Sequence, residues 1–233
     1  MLNPELALAQ LSNEFKTHGR VQVRRVLQFD TADQLYDCLH KEVPWTLAFR
    51  DASGARTMAA DDHAAMTDAD KDALFAEIHA IAKDQFQFIY NSYMMVTAYK
   101  EGRNPDLLLH RLLEFLNSPP WLDFMRKLTG ISGIKKADAQ ATRYLPGHFL
   151  KFHNDHEPEE KRLAAYVLNL SRNWQADWGG LLHFMDEDGN VTDTLLPRFN
   201  TLSIFSVPAN HFVSEVAPFA RTPRYAITGW LKE

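Results

Sequence analysis

Cysteine is almost absent. Cys38 is the only one in 233 residues, so no intramolecular disulfide can form, and a reducing, cytoplasmic setting is the expectation. No stretch approaches the ~18 consecutive apolar residues of a membrane-spanning helix, so no membrane partner is expected. Residues 1–15 lack the basic-then-apolar order of a secretory signal. Positive charge is not in excess. Lys and Arg number 25 against 30 Asp and Glu, a formal net charge of −5, which argues against general attraction to nucleic acid while leaving room for a local basic patch. There is no internal repeat, no low-complexity tract, and no constellation of a serine or cysteine nucleophile. What is present is ordinary for a folded chain: 45% hydrophobic and 24% charged residues, on a length that can bury a real core.

The chain changes character near residue 136. Before it, helical patterns dominate. Asn3-Pro4 opens a helix to about Phe15, a Thr31-to-Gln34 capping box starts another to about Lys41, and Thr67 caps a long helix to about Asn91. A further helix covers residues 106–117 and is broken by Pro119-Pro120. Short strands are expected at 20–27 and 46–49, with residues 50–63 as loop and residues 50–70 as a candidate mobile cover. After residue 136 the pattern becomes eight short strands, at 137–144, 148–153, 162–170, 181–184, 191–195, 201–205, 211–216 and 224–231, separated by turn residues such as Pro146-Gly147, Gly179-Gly180 and Asp188-Gly189-Asn190. Regular short strands predict a mainly β fold: a double-stranded β-helix, or jelly-roll, of two facing antiparallel sheets, with N-terminal helices covering one of them. Residues 1–233 then form a single domain, with 1–136 supporting the β core of 137–233.

Within that core, His153-Asn154-Asp155 is answered by His211 and then by Arg224. Two histidines and one carboxylate are the ligand set of a facial iron triad, which leaves positions open for a chelating cosubstrate and O2. In a strand, residues i and i+2 point to one face, so His153 and Asp155 can reach one ion from one strand end. His211 must arrive from a distant strand. His156 should point away, and His148 and His183 read as structural or near a site mouth. His40, His63, His79 and His110 read as ordinary partly exposed histidines. Arg224, Ala226 and Thr228 share a strand face, and the two small residues leave room for a ligand beneath a guanidinium suited to bidentate carboxylate binding. Arg221 is the competitor, in a loop before Thr222-Pro223.

The stretch 137–233 resembles the prolyl-4-hydroxylase-like branch of the 2-oxoglutarate/Fe(II)-dependent dioxygenases. The residues that carry the resemblance are Arg143-Tyr144-Leu145-Pro146-Gly147, His153-Asn154-Asp155, Tyr166 to Asn169, Trp178-Gly179-Gly180, Asn200-Thr201-Leu202, Pro208 to His211 and Arg224 to Trp230. It implies Fe(II) on His153, Asp155 and His211 as the catalytic centre, 2-oxoglutarate as cosubstrate, O2, and ascorbate as a further candidate. It implies that Arg224 holds the far carboxylate, with Tyr144 and Thr228 as additional cosubstrate contacts. Where oxygen-sensing relatives carry a tyrosine, this chain has Val167, so one hydrogen bond to that carboxylate is missing or comes from elsewhere. The implied activity is hydroxylation of an unactivated C–H with release of succinate and CO2. The implied substrate is a prolyl residue of a protein, by analogy a ribosomal protein or translation factor. Two other readings stand beside it: a zinc-dependent hydrolase on the same triad, which leaves Arg224 without a role, and a non-catalytic β-helix module that binds a metabolite or peptide, which does not need three convergent ligands.

Overall fold

The computed structural model describes all of residues 1–233. Its strands are β1 Arg20–Arg24, β2 Thr46–Asp51, β3 Gly54–Ala59, β4 Phe88–Tyr93, β5 Lys136–Ala137, β6 Gln140–Tyr144, β7 Phe149–His153, β8 Arg162–Asn169, β9 Leu182–Met185, β10 Val191–Leu195, β11 Thr201–Ser206, β12 His211–Val213 and β13 Arg224–Lys232. Its helices are α1 Leu8–His18, α2 Phe29–Lys41, α3 Ala60–Ala65, α4 Asp68–Ala82, α5 Met95–Lys100, α6 Leu108–Leu116 and α7 Pro119–Thr129. The strands form one antiparallel network in the order β1-β11-β8-β13-β6-β4-β7-β12-β9-β10, with β2, β3 and β5 attached beside it. The network curls into a nearly closed, jelly-roll-like barrel. The two facing sheets expected from sequence are therefore hydrogen-bonded into one, and β4 from the N-terminal part is the join.

Alternation along the strands decides what faces where. On β8, Ala164, Tyr166 and Leu168 turn to the helix layer, while Ala165 and Val167 turn to the barrel interior. On β13, Tyr225, Ile227 and Leu231 turn to the helices, and Arg224, Thr228 and Trp230 to the interior. The helices answer with apolar faces: Leu109, Leu112 and Leu116 on α6, and Trp121, Met125 and Leu128 on α7, all fully buried. Helix α4 packs apart from this layer, with Ile78 against Leu47, Ile89 and Phe149.

Several local expectations are corrected. α1 begins at Leu8, not Asn3, and ends at Gly19 in the left-handed conformation (φ 67°), a glycine cap. α2 begins at Phe29, so Thr31 lies inside the helix. Thr67 does cap α4, its hydroxyl accepting from the Asp70 N–H at 3.2 Å, but the helix stops at Ala82. Residues 88–93 form β4, because Phe86, Phe88 and Tyr90 alternate with Gln87, Ile89 and Asn91 at the period of a strand. Residues 54–59, expected as loop, are β3, which hairpins with β2. Pro119-Pro120 starts α7, prolines at the first helical positions having no N–H to leave unpaired.

Candidate active site

His153 is the last residue of β7, and His211 the first of β12. The two strands are paired with His211 directly opposite His153, which sets the ring centroids 4.1 Å apart. Asp155 is not on the strand. It lies beyond the end of β7 in the left-handed region, φ 61°, so a turn and not the i, i+2 alternation brings its carboxylate back. Its oxygens stand 3.5 Å from His153 Nε2 and 3.6 Å from His211 Nε2. The ligand atoms of all three lie within 4.8 Å of one another. Two donors bonded at about 2 Å to one ion are at most about 4 Å apart, so both carboxylate–imidazole separations suit a shared metal.

The two imidazoles are oriented so that they could hold a metal. His153 Nδ1 donates to the Lys151 carbonyl at 2.9 Å, and His211 Nδ1 to the Ala209 carbonyl at 2.7 Å. A carbonyl only accepts, so the protons are on Nδ1 and both Nε2 lone pairs face Asp155. Burial, and then the neighbouring His153, depress the His211 pKa to about 4, against the opposing pull of Asp155 and the Ala209 carbonyl. The ring is thus neutral near pH 7, as coordination requires. Arg162, which sequence reasoning did not single out, donates to the Asp155 carbonyl at 3.3 Å and stacks 3.8 Å from the Trp230 ring. It steadies the turn that carries the carboxylate.

The triad opens into a cavity of about 510 Å³. At its other end stands Arg224, 2% exposed, on β13 opposite Tyr144 of β6. Its guanidinium carbon lies 4.8 Å from the Tyr144 ring. Its Nε has no hydrogen-bond partner, and no carboxylate pairs with it. Burial lowers its pKa, with Tyr144 opposing. A buried guanidinium without a counter-charge is costly unless an anion joins it. Tyr144, Thr228 and Val167 line the same cavity; Ala226 does not, and Arg221 is exposed outside it. Sequence reasoning missed Phe86, Phe88, Tyr90 and Gln140, which also line it. Their signal was the aromatic alternation through Phe86, Phe88 and Tyr90, hidden by reading that stretch as helix.

Of the other histidines only some have side-chain partners: His63 and His110 each leave a buried Nε2 without one, and His156 does not point away as expected. His156 faces the cavity, and its backbone N–H closes a turn on the Asn154 side chain. His183 bonds Thr194 and Ser214, and His40 bonds the Tyr225 hydroxyl. His148 is buried beneath Phe75, and desolvation lowers its pKa to about 3.

Residues 139–232 match the model of the 2OG-Fe(II) oxygenase superfamily. The chain is 30% identical over 167 residues to a Mus musculus protein named prolyl 3-hydroxylase OGFOD1, an alignment covering 69% of this chain and 29% of the mouse protein. The chain thus spans less than a third of that relative's length. Among solved structures, a Pseudomonas putida prolyl-4-hydroxylase is similar with a TM-score of 0.60 at 18% identity, over 97% of this chain and 98% of that one. A Trichoplax adhaerens prolyl hydroxylase, solved with a hypoxia-inducible-factor oxygen-degradation-domain peptide, gives 0.61 at 16% identity over 97% and 88%. At such identities these structures speak for the fold, while the family model covers the strands that carry His153, His211 and Arg224. Residues 139–232, which hold the triad and Arg224, thus carry the pattern of the 2OG-Fe(II) oxygenase superfamily.

Proposed function

We propose that the chain is an Fe(II)- and 2-oxoglutarate-dependent dioxygenase that hydroxylates a prolyl residue of a protein. The observation that carries this reading is the unpaired, buried Arg224 in the same cavity as the triad: a metal at one end and a demand for an anion at the other match a cosubstrate that chelates and carries a far carboxylate. Bound there, Fe(II) with 2-oxoglutarate and O2 would supply the oxidant for a C–H, with succinate and CO2 as co-products. The chain's own part is positional. His153, Asp155 and His211 hold the metal from one side, their orientation set by the Lys151 and Ala209 carbonyls. Arg224 holds the far carboxylate, and Tyr144 and Thr228 border it. Phe86, Phe88, Phe152 and Trp230 line the cavity and give the reacting end an apolar border.

A prolyl target is supported by the names of the mouse relative and of the two solved structures, and an apolar mouth suits an uncharged ring. A ribosomal protein or translation factor is the proposed carrier, in the cytoplasm, with ascorbate as an accessory reductant. We also propose that residues 1–233 act as one domain, because β4 runs between the strands that carry Tyr144 and His153. A zinc hydrolase would use the triad but gives Arg224 nothing to bind.

The test measures succinate formed from 2-oxoglutarate, with and without Fe(II), in parallel with mass spectrometry for a one-oxygen gain on prolines of cellular proteins. Arg224→Ala should raise the 2-oxoglutarate requirement roughly a hundredfold, the loss of one side of a buried charged pair. Arg224→Lys should recover part of the affinity, and Arg221→Ala should show little or no defect. A crippled Arg221→Ala would move the carboxylate site. Fe(II)-independent turnover, or none with 2-oxoglutarate, would end the dioxygenase reading.

A further inference from the structure

The aromatic residues of β4 and the residues just before it form a continuous wall. Phe86, Phe88 and Tyr90 share one face, with ring centroids 5.9 Å and then 5.4 Å apart. At one end Phe86 lies 5.6 Å from the His153 ring. At the other, Tyr90 stacks on Tyr144, 5.2 Å away at 22°, and Tyr144 carries the Arg224 guanidinium. The position of Tyr90 follows from register. β4 pairs with β7 through Ile89↔Phe149 and with β6 through Asn91↔Arg143. Tyr90 falls at the step between the two, bordering both the strand of the arginine's partner and the strand of the metal ligand.

A phenol at this place is a donor. Burial pushes its pKa up, against a hydrogen bond from Gln140, and the Asp155 carboxylate adds to the rise, so it keeps its proton near neutrality. Val167 on β8 lines the same cavity and offers no side-chain hydrogen bond.

We propose that Tyr90 is a cosubstrate-positioning residue whose phenolic O–H donates to the far carboxylate held by Arg224, supplying from the N-terminal part of the chain the contact that Val167 cannot. This rests on the 2-oxoglutarate reading above. Tyr144 holds the ring in place by stacking, and Tyr90→Phe keeps that stacking while removing only the donor.

The experiment is calorimetric titration of 2-oxoglutarate into the full chain loaded with Mn(II) under anaerobic conditions, so that binding is read without turnover. Tyr90→Phe should bind 2-oxoglutarate about tenfold more weakly, as expected for a lost hydrogen bond to a charged group, with Mn(II) affinity unchanged. 2-Oxobutyrate, which lacks the far carboxylate, should bind Tyr90→Phe and the unmodified chain equally. Equal weakening for both ligands would place the contact at the metal end and overturn the proposal. So would unchanged 2-oxoglutarate affinity in Tyr90→Phe alongside a loss in Tyr90→Ala, which is the signature of packing alone. Arg224→Ala separates the layers. If it weakens binding and Tyr90→Phe does not, only the role of Tyr90 falls. If neither matters, the 2-oxoglutarate reading of the cavity falls, and Tyr90's role with it.

Discussion

At the scale of single residues, the centre depends on three donors with different supports. His153 and His211 are held by strand register and by one carbonyl each, whereas Asp155 depends on a left-handed turn. His153→Ala, Asp155→Ala and His211→Ala should each lose bound iron and succinate formation while the far-ultraviolet dichroism stays near that of the unmodified chain. His156→Ala should keep its iron, because His156 faces the same cavity outside the ligand cluster. Metal analysis after gel filtration reads this directly, and a His211→Ala protein with full iron would refute the ligand set. The grouping of these three residues was legible in their spacing. The route was not: the strand argument for Asp155 fails, because β7 ends at His153 and a left-handed turn, which Asn and Asp tolerate, returns the carboxylate. Arg162 was also invisible, because its partners, the Asp155 carbonyl and the Trp230 ring, come from separate elements.

At the scale of elements, Gln87 shows how a buried polar residue just before β4 ties it to the neighbouring strand β2. Gln87 is fully buried. Its side-chain amide donates to the Arg50 carbonyl at 2.9 Å and accepts from the Arg50 N–H at 3.1 Å, so a side chain takes the part of a strand neighbour for β2. Gln87→Leu should leave those two backbone groups unsatisfied and cost about 2–4 kcal/mol, read as a lower urea midpoint; a change below about 0.5 kcal/mol would show that water replaces the amide. The stretch around Gln87 misled the sequence reading because α4 and β4 are separated by only a few residues, and apolar positions there fit a helical stripe and a strand alternation alike. The C-terminal strands were clearer. Turn residues bracket each of them, and β10 spans the expected residues 191–195.

At the scale of the whole molecule, a buried neutral histidine should contribute to acid sensitivity. His148 is 2% exposed with its pKa depressed to about 3 by burial. In the unfolded chain it binds a proton near pH 6.5. Between those values the unfolded state therefore holds the extra proton, so stability falls as pH drops through about 6.5 toward 3 and is full above that window. His148→Gln should flatten the dependence of Tm on pH across this interval in metal-free protein. An unchanged slope would assign the acid sensitivity to other groups.

The sequence by itself determined the β-rich C-terminal core, the ordered set of His153, Asp155, His211 and Arg224, and the likeness to a dioxygenase family. Each of these is local, carried by turn residues and by the chemistry of a few side chains. Only the tertiary structure decided that the facing sheets are joined into one network, that Arg224 is buried without a counter-charge while Arg221 is exposed, and that Tyr90 stands in the row of rings between Tyr144 and His153. Burial, register and the approach of distant strands are pairwise properties of the folded chain. They depend on which segments meet, and a residue's type and spacing do not specify that.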